Sequence, residues 1–338
     1  MPKLRTVAVL AGAALLTRRA LRNRIQASPL WPMPALENPT SGRPRSRALK
    51  LVVASRKTVA EGVVQLRLEG RDLPRWEPGA HLDLVLPSGL VRQYSLCGDP
   101  ADTSSYTVAT RLVEGGRGGS REVHEQVREG MALEVRGPRN RFPLVEAQSY
   151  VFIAGGIGIT PILPMLRALG DNAEWRLLYC GRSPESMPFL EEVEKLGRNR
   201  VTVVAGAPDL DALDVPEEAA VYCCGPEGLI TAAQDRFPRV HLERFTPHAA
   251  HGTAFEVELR RSGRTLTVAA DSTVLAAVRA ELPNTAYSCE QGFCGTCQQR
   301  VLEGVAEHRD ELLTDAERAD SILICVSRAR SDRLVLDM

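Results

Sequence analysis

The sequence predicts a multidomain protein: an antiparallel β-barrel, then a doubly wound α/β domain with a parallel sheet, then a small α+β domain. Three patterns predict this order. Short strands bounded by turn residues fill residues 49–113, a buried strand leads through glycines into a helix over residues 150–169, and a cysteine loop lies at residues 289–297. We expect the domains at 48–148, 149–246 and 253–338, with a basic extension at 1–47 and a linker at 247–252.

The composition gives no support for nucleic-acid binding, because the 338 residues carry no net charge. The chain is 44% hydrophobic and 25% charged, which is typical of an ordinary soluble protein, and its length is enough for two or three domains. The neutral total conceals an asymmetry. Residues 1–50 contain ten Lys or Arg and one acid, so they carry +9 and the remainder carries −9.

The N-terminal extension is first apolar and then basic. Residues 7–16 form an apolar run of ten, too short to span a bilayer, and arginines follow it where a signal peptide would have a cleavage site. Five prolines make residues 28–46 an irregular linker. Two interpretations stay open: a helix or disordered arm on the protein body, or a basic surface helix that contacts anionic lipid or an acidic partner.

The barrel is predicted from β-rich segments that follow one another at short spacing. These lie at 49–54, 63–68, 78–87, 92–96 and 105–113, and residues 132–144 are expected to complete the barrel. His81 and His124 lie within patterned elements, with no acid or nucleophile directly beside them in the sequence. We therefore interpret both histidines as structural.

Two stretches of the barrel suggest a site for a phosphorylated planar cofactor. Arg92 and Tyr94 alternate on one strand and point the same way, which offers a guanidinium to a phosphate and a ring to a ring system. The glycine-rich stretch 115–120 precedes a helical segment, predicted at 123–128, and could cradle an anion. A glycine-rich hairpin is the alternative interpretation of the second stretch.

The second domain begins with a continuous apolar strand at 150–154. It runs into Gly155-Gly156-Ile157-Gly158-Ile159-Thr160-Pro161 and then a predicted helix, 162–169. This order is the dinucleotide-binding pattern, although the glycine spacing differs from G-x-G-x-x-G. Strands and helices then alternate, including a predicted helix at 187–196, up to Cys224-Gly225-Pro226. Ligands in such domains bind at the carboxyl ends of the strands, where these glycines fall.

The third domain contains the most specific motif of the chain. Cys289, Cys294 and Cys297 have the spacing C-x4-C-x2-C, and Cys325 follows on the segment 322–327, which is expected to carry the fourth ligand. This is the plant-type [2Fe–2S] spacing. A zinc site would normally use two C-x2-C pairs, and a disulfide framework is uncommon in a chain of this length without an export signal. The other four cysteines, at 97, 180, 223 and 224, are expected to be buried thiols.

These motifs together resemble the phthalate dioxygenase reductase and vanillate demethylase reductase family, iron–sulfur flavoproteins related to ferredoxin–NADP reductase. The resemblance covers residues 48–338. It implies the order flavin barrel, pyridine-nucleotide domain and plant-type ferredoxin domain of β-grasp fold. It also implies FMN and a [2Fe–2S] cluster held by the four cysteines.

The resemblance also assigns roles to residues. Ser95, Thr160 and Cys224 are expected at the site of hydride transfer. The expected cofactor contacts, these three included, are Arg92, Tyr94, Ser95, Ala109, Thr110, Arg111, Gly118, Gly119, Ser120, Gly155, Gly156, Gly158, Thr160, Pro161, Arg182, Cys224, Gly225 and Pro226.

NADH is preferred over NADPH on one further argument. In related NADPH reductases a Ser-Arg pair for the 2′-phosphate follows the strand equivalent to 201–205. Here Asp209 lies in that stretch and would repel a phosphate. Arg182, after the preceding strand, could supply an alternative anion site.

The expected function is the reductase component of a two-component oxygenase. Electrons would pass from NADH to FMN, to the cluster and then to a partner oxygenase, a Rieske-type hydroxylase or demethylase. The alternatives are a free-standing NADH diaphorase and a redox sensor that does not turn over. The expected location is the cytoplasm, with the basic N-terminal segment as a candidate peripheral contact with the membrane.

Overall fold

The computed structural model describes residues 48–116, 118–245, 251–287, 289–292, 295–310 and 312–338. The N-terminal extension and Cys294 lie outside the described residues. Within the described part, no helix has the length and apolar character needed to cross a membrane. These described residues belong to one compact unit.

The first sheet is antiparallel and forms the barrel. Its six strands are β1 (Leu49–Ala60), β2 (Val63–Glu69), β3 (Ala80–Val85), β4 (Val91–Ser95), β5 (Ser105–Arg111) and β6 (Ala132–Asn140). Hydrogen bonds place them in the order β4-β3-β6-β1-β2-β5. A bridge between Leu96 and Val108 joins the two ends, and Cys97 N donates to Thr107 O at 2.8 Å. These contacts close the sheet, so the predicted barrel is confirmed.

Both barrel histidines belong to its internal packing. His81 is buried beside Gln93, whose Nε2 lies 3.4 Å from His81 Nε2. Burial and the nearby charge of Arg139 lower the pKa of His81 to about 4, so the ring is neutral at pH 7. The Nε2 atom of His124 lies 2.9 Å from Thr110 O. Both rings therefore have partners inside the barrel.

Helix α1 (Gly119–Glu125) follows β5 directly. The hairpin interpretation of the glycine-rich stretch is wrong, because β5 pairs with β2 and not with the next strand. The helix also begins and ends earlier than predicted. Gly118 precedes it with φ 81°, and the side chain of Arg128, predicted as helical, donates instead to Val127 O at 3.0 Å. Arg128 thus satisfies backbone carbonyls beyond the last turn.

The second sheet is parallel. Its strands are β7 (Ser149–Gly155), β8 (Glu174–Gly181), β9 (Val201–Ala205), β10 (Ala219–Cys224) and β11 (His241–Glu243). Its helices are α2 (Ile159–Leu169), α3 (Leu190–Gly197) and α4 (Glu227–Arg236), with single 3-10 turns at Gly156–Gly158, Pro184–Ser186 and Arg198–Arg200. The strand order is β11-β10-β7-β8-β9. Phe152 packs on one face of β7 and Ile153 on the other, both fully buried, so the predicted doubly wound arrangement is confirmed.

Three elements of this domain differ from the prediction. Helix α2 starts three residues earlier, so Thr160 and Pro161 form its first turn. Helix α3 starts at Leu190 and not at Met187, because Phe189 has φ 62° and interrupts the helical path. Strand β11 was not predicted at all. It is only three residues long, and it carries a residue of the candidate site.

The third sheet is mixed and belongs to the C-terminal domain. The elements are β12 (Phe255–Leu259), β13 (Arg264–Val268), α5 (Val274–Glu281), β14 (Gln298–Glu303), β15 (Ala306–Glu307), α6 (Asp315–Arg318), β16 (Ser321–Leu323), β17 (Arg328–Ala329) and β18 (Arg333–Leu336). The strand order is β13-β12-β18-β14-β16, and β12 and β18 run parallel. Thr273 caps α5 by accepting a hydrogen bond from Ala276 N at 3.0 Å.

The segment 322–327, which carries Cys325, is not a continuous strand. Strand β16 ends at Leu323, and Leu323 O then accepts hydrogen bonds from Val326 N at 3.3 Å and Ser327 N at 3.1 Å. The chain therefore turns at Cys325. A turn aims the thiol toward the cysteine loop, which an extended strand would not do.

Candidate active site

Arg92 and Gly119 meet between strand β4 and helix α1. A methyl group at Gly119 would lie 2.5 Å from Cγ and 2.6 Å from Nε of Arg92. The adjacent Ser120 Oγ accepts a hydrogen bond from Val113 N at 3.1 Å. The Arg92 guanidinium thus lies against the glycine turn that begins helix α1. Gly118, just before the helix, has the left-handed conformation. This combination suits a phosphate group, and the predicted roles of these residues stay predictions.

Tyr94 lies beside this place, against the end of strand β5. Burial raises the pKa of Tyr94 to about 12, against the opposing effects of a hydrogen bond with Thr110 and the charge of Arg92. Ala109, which precedes Thr110 on strand β5, packs in a small buried cluster with Ile157 of the glycine loop. The barrel wall that carries the predicted flavin contacts therefore touches the nucleotide domain.

The two glycine motifs of the parallel sheet are in direct backbone contact. A methyl group at Gly158 would lie 2.1 Å from Cys224 O, and one at Gly225 would lie 3.0 Å from Gly155 Cα. A methyl group at Gly155 would also lie 2.6 Å from Cδ of Pro226. Side chains at these glycines would separate the loops. The absence of side chains here lets the first loop lie against the end of β10.

Two hydroxyl groups hold the first glycine loop. Thr160 Oγ1 donates to Ile157 O at 2.9 Å. The hydroxyl of buried Tyr179 lies 3.1 Å from Gly156 O and 2.8 Å from Pro188 O. The Thr160 hydroxyl is therefore engaged within the turn, and its expected contact with flavin and nicotinamide stays a prediction. Sequence reasoning did not include Tyr179, which lies on the neighbouring strand β8.

The clearest link between the two domains joins Ser95 to Glu243. Ser95 Oγ donates to Glu243 Oε2 at 3.0 Å. Glu243 ends strand β11 and is in register with Cys224 on β10. The barrel and the sheet thus bring together a hydroxyl, a carboxyl and a thiol. Sequence reasoning identified Ser95 and Cys224 but missed Glu243, which no motif marks in the sequence.

The protonation of this group of residues is set by burial. Burial raises the pKa of Glu243 to about 7, and the hydrogen bond from Ser95 works against that rise. Burial, followed by the charge of Glu243, raises the pKa of the Cys224 thiol well above its ordinary value. Cys224 is therefore a neutral thiol at pH 7, and Glu243 changes its charge near that pH.

Arg111 lies at the first glycine loop, and Arg182 is near enough to Arg111 for their charges to interact. A methyl group at Gly156 would lie 3.0 Å from Nη1 of Arg111. Burial and the positive charge of Arg182 lower the pKa of Arg111. The two predicted cofactor contacts Arg111 and Arg182 therefore act on one region, where their charges would favour an anion.

Three of the four predicted cluster cysteines are described, and all three are buried: Cys289, Cys297 and Cys325. The thiol of Cys325 interacts directly with the thiols of Cys289 and Cys297 and with the backbone of Gly292. Gly292 has φ 79°, and a methyl group there would lie 2.7 Å from Val326. Buried sulfur ligands with backbone donors turned toward them fit an iron–sulfur cluster.

The cysteine loop also touches the end of the parallel sheet. The side-chain Nε2 of Gln291 donates to Arg244 O at 2.8 Å. Arg244 follows Glu243 directly in the chain. The segment that holds the Ser95 partner thus also holds the cysteine loop.

Comparison with known proteins identifies this arrangement. A family model described as a 2Fe-2S iron-sulfur cluster binding domain matches residues 257–330. The chain is 38% identical to the phthalate 4,5-dioxygenase oxygenase reductase subunit of Pseudomonas putida, over 85% of this chain and 96% of that protein. The chain belongs to the phthalate dioxygenase reductase family.

Two further members of the family support this membership. The vanillate O-demethylase oxidoreductase of a Pseudomonas species is 38% identical, over 86% of this chain and all of that protein. The solved structure of phthalate dioxygenase reductase is 35% identical in sequence, with a TM-score of 0.63. It is described as a modular structure for electron transfer from pyridine nucleotides to [2Fe–2S]. The match covers 86% of this chain and 98% of the chain in that structure. The resemblance seen in the sequence and the predicted fold class are confirmed, and the chain is an oxidoreductase of this reductase family.

Proposed function

We propose that this chain is the NADH-dependent reductase component of a two-component oxygenase. It would pass electrons by way of FMN and a [2Fe–2S] cluster to a partner terminal oxygenase, a Rieske-type hydroxylase or demethylase. When bound, FMN accepts a two-electron hydride and the cluster accepts single electrons. One observation carries the proposal: the Ser95–Glu243 hydrogen bond joins the barrel to the sheet, and the following residue holds the cysteine loop.

The barrel residues would bind and orient the flavin. Arg92 and the turn at Gly118–Ser120 would hold the phosphate through charge-assisted hydrogen bonds. Tyr94 would pack its neutral ring against the isoalloxazine. Ala109 and Thr110 would line the same wall.

The junction residues would prepare the site for hydride transfer. Cys224, a neutral and fully buried thiol, would contact the nicotinamide and exclude water from it. Ser95 would turn its hydroxyl oxygen toward the flavin, while its O–H donates to Glu243, which fixes its orientation. An ionised Glu243 would favour hydride departure, because the nicotinamide gains positive charge in that step.

The loops that follow strands β8 and β9 favour NADH over NADPH. Gly206 N donates to Gly181 O at 2.7 Å, so the loops after these strands lie side by side. The Asp209 carboxylate lies in the second loop and accepts from Asp211 N at 3.0 Å. It would repel a 2′-phosphate. The positive charges of Arg182 and Arg111 interact with each other, and together they would favour the pyrophosphate, which both nucleotides contain.

The C-terminal domain would hold the cluster. Cys289, Cys297 and Cys325 would be ligands together with Cys294, which lies outside the described residues. Backbone N–H groups near the sulfurs, such as Gln291 N at 3.3 Å from Cys289 Sγ, would stabilise the charge of the cluster.

An anaerobic titration with NADH, followed by visible absorbance, tests the proposal. We expect uptake of about three electrons, with flavin and iron–sulfur bands both bleaching. Bleaching of the flavin alone would favour an NADH diaphorase. Bleaching with NADPH but not with NADH would refute the argument from Asp209. Reduction of a candidate oxygenase in the same cuvette then tests the partner.

The basic N-terminal segment supports a narrower proposal about location. Its net charge of +9 over residues 1–50 would favour peripheral contact of a cytoplasmic enzyme with anionic lipid. Deleting residues 1–46 is expected to reduce sedimentation with anionic vesicles and to leave NADH-dependent flavin reduction unchanged. Equal sedimentation of both proteins would contradict membrane contact.

A further inference from the structure

The side chain of Gln291 joins the cysteine loop to the rest of the protein. Its Nε2 donates to Arg244 O at 2.8 Å, across 47 positions of sequence. Its own backbone N lies 3.3 Å from Cys289 Sγ, within the predicted ligand loop. One residue thus contacts a cluster ligand through its backbone and the nucleotide domain through its side chain.

The acceptor is itself firmly anchored. The Arg244 guanidinium donates to Gln234 Oε1 at 2.6 Å and lies 3.4 Å from Glu227 Oε1, both on helix α4. The Arg244 side chain is 16% exposed. The preceding residue, Glu243, is paired with strand β10 and with Ser95. The Arg244 carbonyl is therefore a fixed point beside the junction of barrel and sheet.

The covalent connection alone would not hold the cysteine loop at this point. The predicted linker of residues 247–252 could span about 20 Å when fully extended. A chain of that reach sets only an upper limit on the separation of the two domains. A non-covalent contact is needed to fix the loop within the short range that electron transfer requires.

We propose that Gln291 is a positioning residue that docks the cluster loop against the flavin site through the Arg244 carbonyl. The inference rests on the proposed function. The step it serves moves one electron from reduced flavin to the oxidised cluster, and no covalent bond forms or breaks. Loss of the hydrogen bond would lower the docked fraction and therefore slow this step alone.

Gln291→Met tests the proposal, because methionine keeps the length of the side chain but cannot donate. In anaerobic stopped flow with NADH, we expect unchanged bleaching of the flavin and about fivefold slower bleaching of the cluster, the ratio that corresponds to about 1 kcal/mol. Gln291→Lys restores a donor of similar reach and should recover most of the rate. Gln299→Met places the same substitution on β14 and should behave like the wild type.

Two measurements independent of turnover separate docking from other causes. Hydrogen exchange of the amides in residues 241–245 should increase in Gln291→Met and recover in Gln291→Lys. The cluster midpoint potential should stay the same in Gln291→Met and in Gln299→Met, neither of which changes a charge. Unchanged exchange, an unchanged cluster rate, or a slower rate explained by a shifted potential would each overturn the proposal. Failure of NADH to reduce the wild-type flavin would instead overturn the proposed function.

Discussion

Ser95 and Glu243 lie 148 positions apart and share a hydrogen bond of 3.0 Å. Ser95 ends the barrel strand β4, and Glu243 ends the last strand of the parallel sheet. Their contact means that the candidate active site is formed by two domains. It also places a carboxyl with a pKa of about 7 beside the neutral thiol of Cys224. The chemistry of this junction should therefore respond to pH and to substitution at either residue.

Glu243→Gln should remove a pH dependence from flavin reduction by NADH. The raised pKa means that Glu243 is mostly neutral below about pH 7 and ionised above it. An ionised carboxylate stabilises the positive charge that develops on the nicotinamide, so the wild-type rate should rise roughly tenfold between about pH 6 and about pH 8. The variant should show a flat profile at the lower rate. Stopped-flow absorbance of the flavin band measures this, and an equal rise in both proteins would assign the pH dependence to another group.

Ser95→Ala should move the same pH profile to higher pH. The Ser95 hydroxyl lowers the pKa of Glu243 by donating to its carboxylate, so removing the donor raises that pKa further. At pH 7 the variant should therefore reduce its flavin more slowly, with part of the rate recovered at higher pH. Ser104→Ala, at an exposed serine of the same domain, should keep the wild-type midpoint. A midpoint that shifts downward in Ser95→Ala would contradict the assigned hydrogen bond.

Gly158→Ala should disrupt nucleotide binding. The added methyl group would lie 2.1 Å from Cys224 O, so the two glycine motifs would have to separate. We expect a destabilisation of about 1–3 kcal/mol and a higher KM for NADH. Gly228→Ala is the matched control, because a methyl group there meets nothing within 4 Å on helix α4. It should be neutral or stabilising by up to about 1 kcal/mol. Similar thermal shifts in both variants would refute the argument from close approach.

Arg92→Met should weaken the binding of FMN but not of riboflavin. The guanidinium over Gly119 is expected to contact the phosphate, and such charged hydrogen bonds contribute about 1.5–3 kcal/mol. FMN affinity should fall about 10- to 100-fold, measured by flavin fluorescence with the flavin-free protein. Arg121→Met, at an exposed arginine of helix α1, should bind both flavins normally. Equal losses for FMN and riboflavin would place Arg92 at the ring and not at the phosphate.

Cys325→Ala should abolish the iron–sulfur absorbance and leave flavin reduction by NADH intact. The reason is that Cys325 contributes one of the buried thiols of the candidate cluster site, which lies in a different domain from the flavin residues. Cys180→Ala is the control, since this buried thiol of strand β8 donates to Ala154 O at 3.4 Å within the nucleotide domain. It should keep the full cluster spectrum. Retention of the cluster in Cys325→Ala would exclude this residue as a ligand.

Local patterns in the sequence determined the domain order and most of the candidate residues. The cysteine loop and the glycine turns can be recognised in the sequence because each needs its residues within a few positions of one another. The strand Ala219–Cys224 was likewise predicted to within one residue, since a run of apolar residues before a glycine has few other interpretations. These features depend on short-range geometry, which the order of residues specifies directly.

Contacts between domains were decided only by the tertiary structure. Strand β11 has three residues, too few for any periodic pattern, and it gains its partners from β10 alone. Nothing near Glu243 in the sequence indicates Ser95, and nothing near Gln291 indicates Arg244. Phe189 was misplaced on a regular element for a related reason. Its backbone follows packing against distant residues, and such packing overrides local preference wherever a side chain belongs to more than one element.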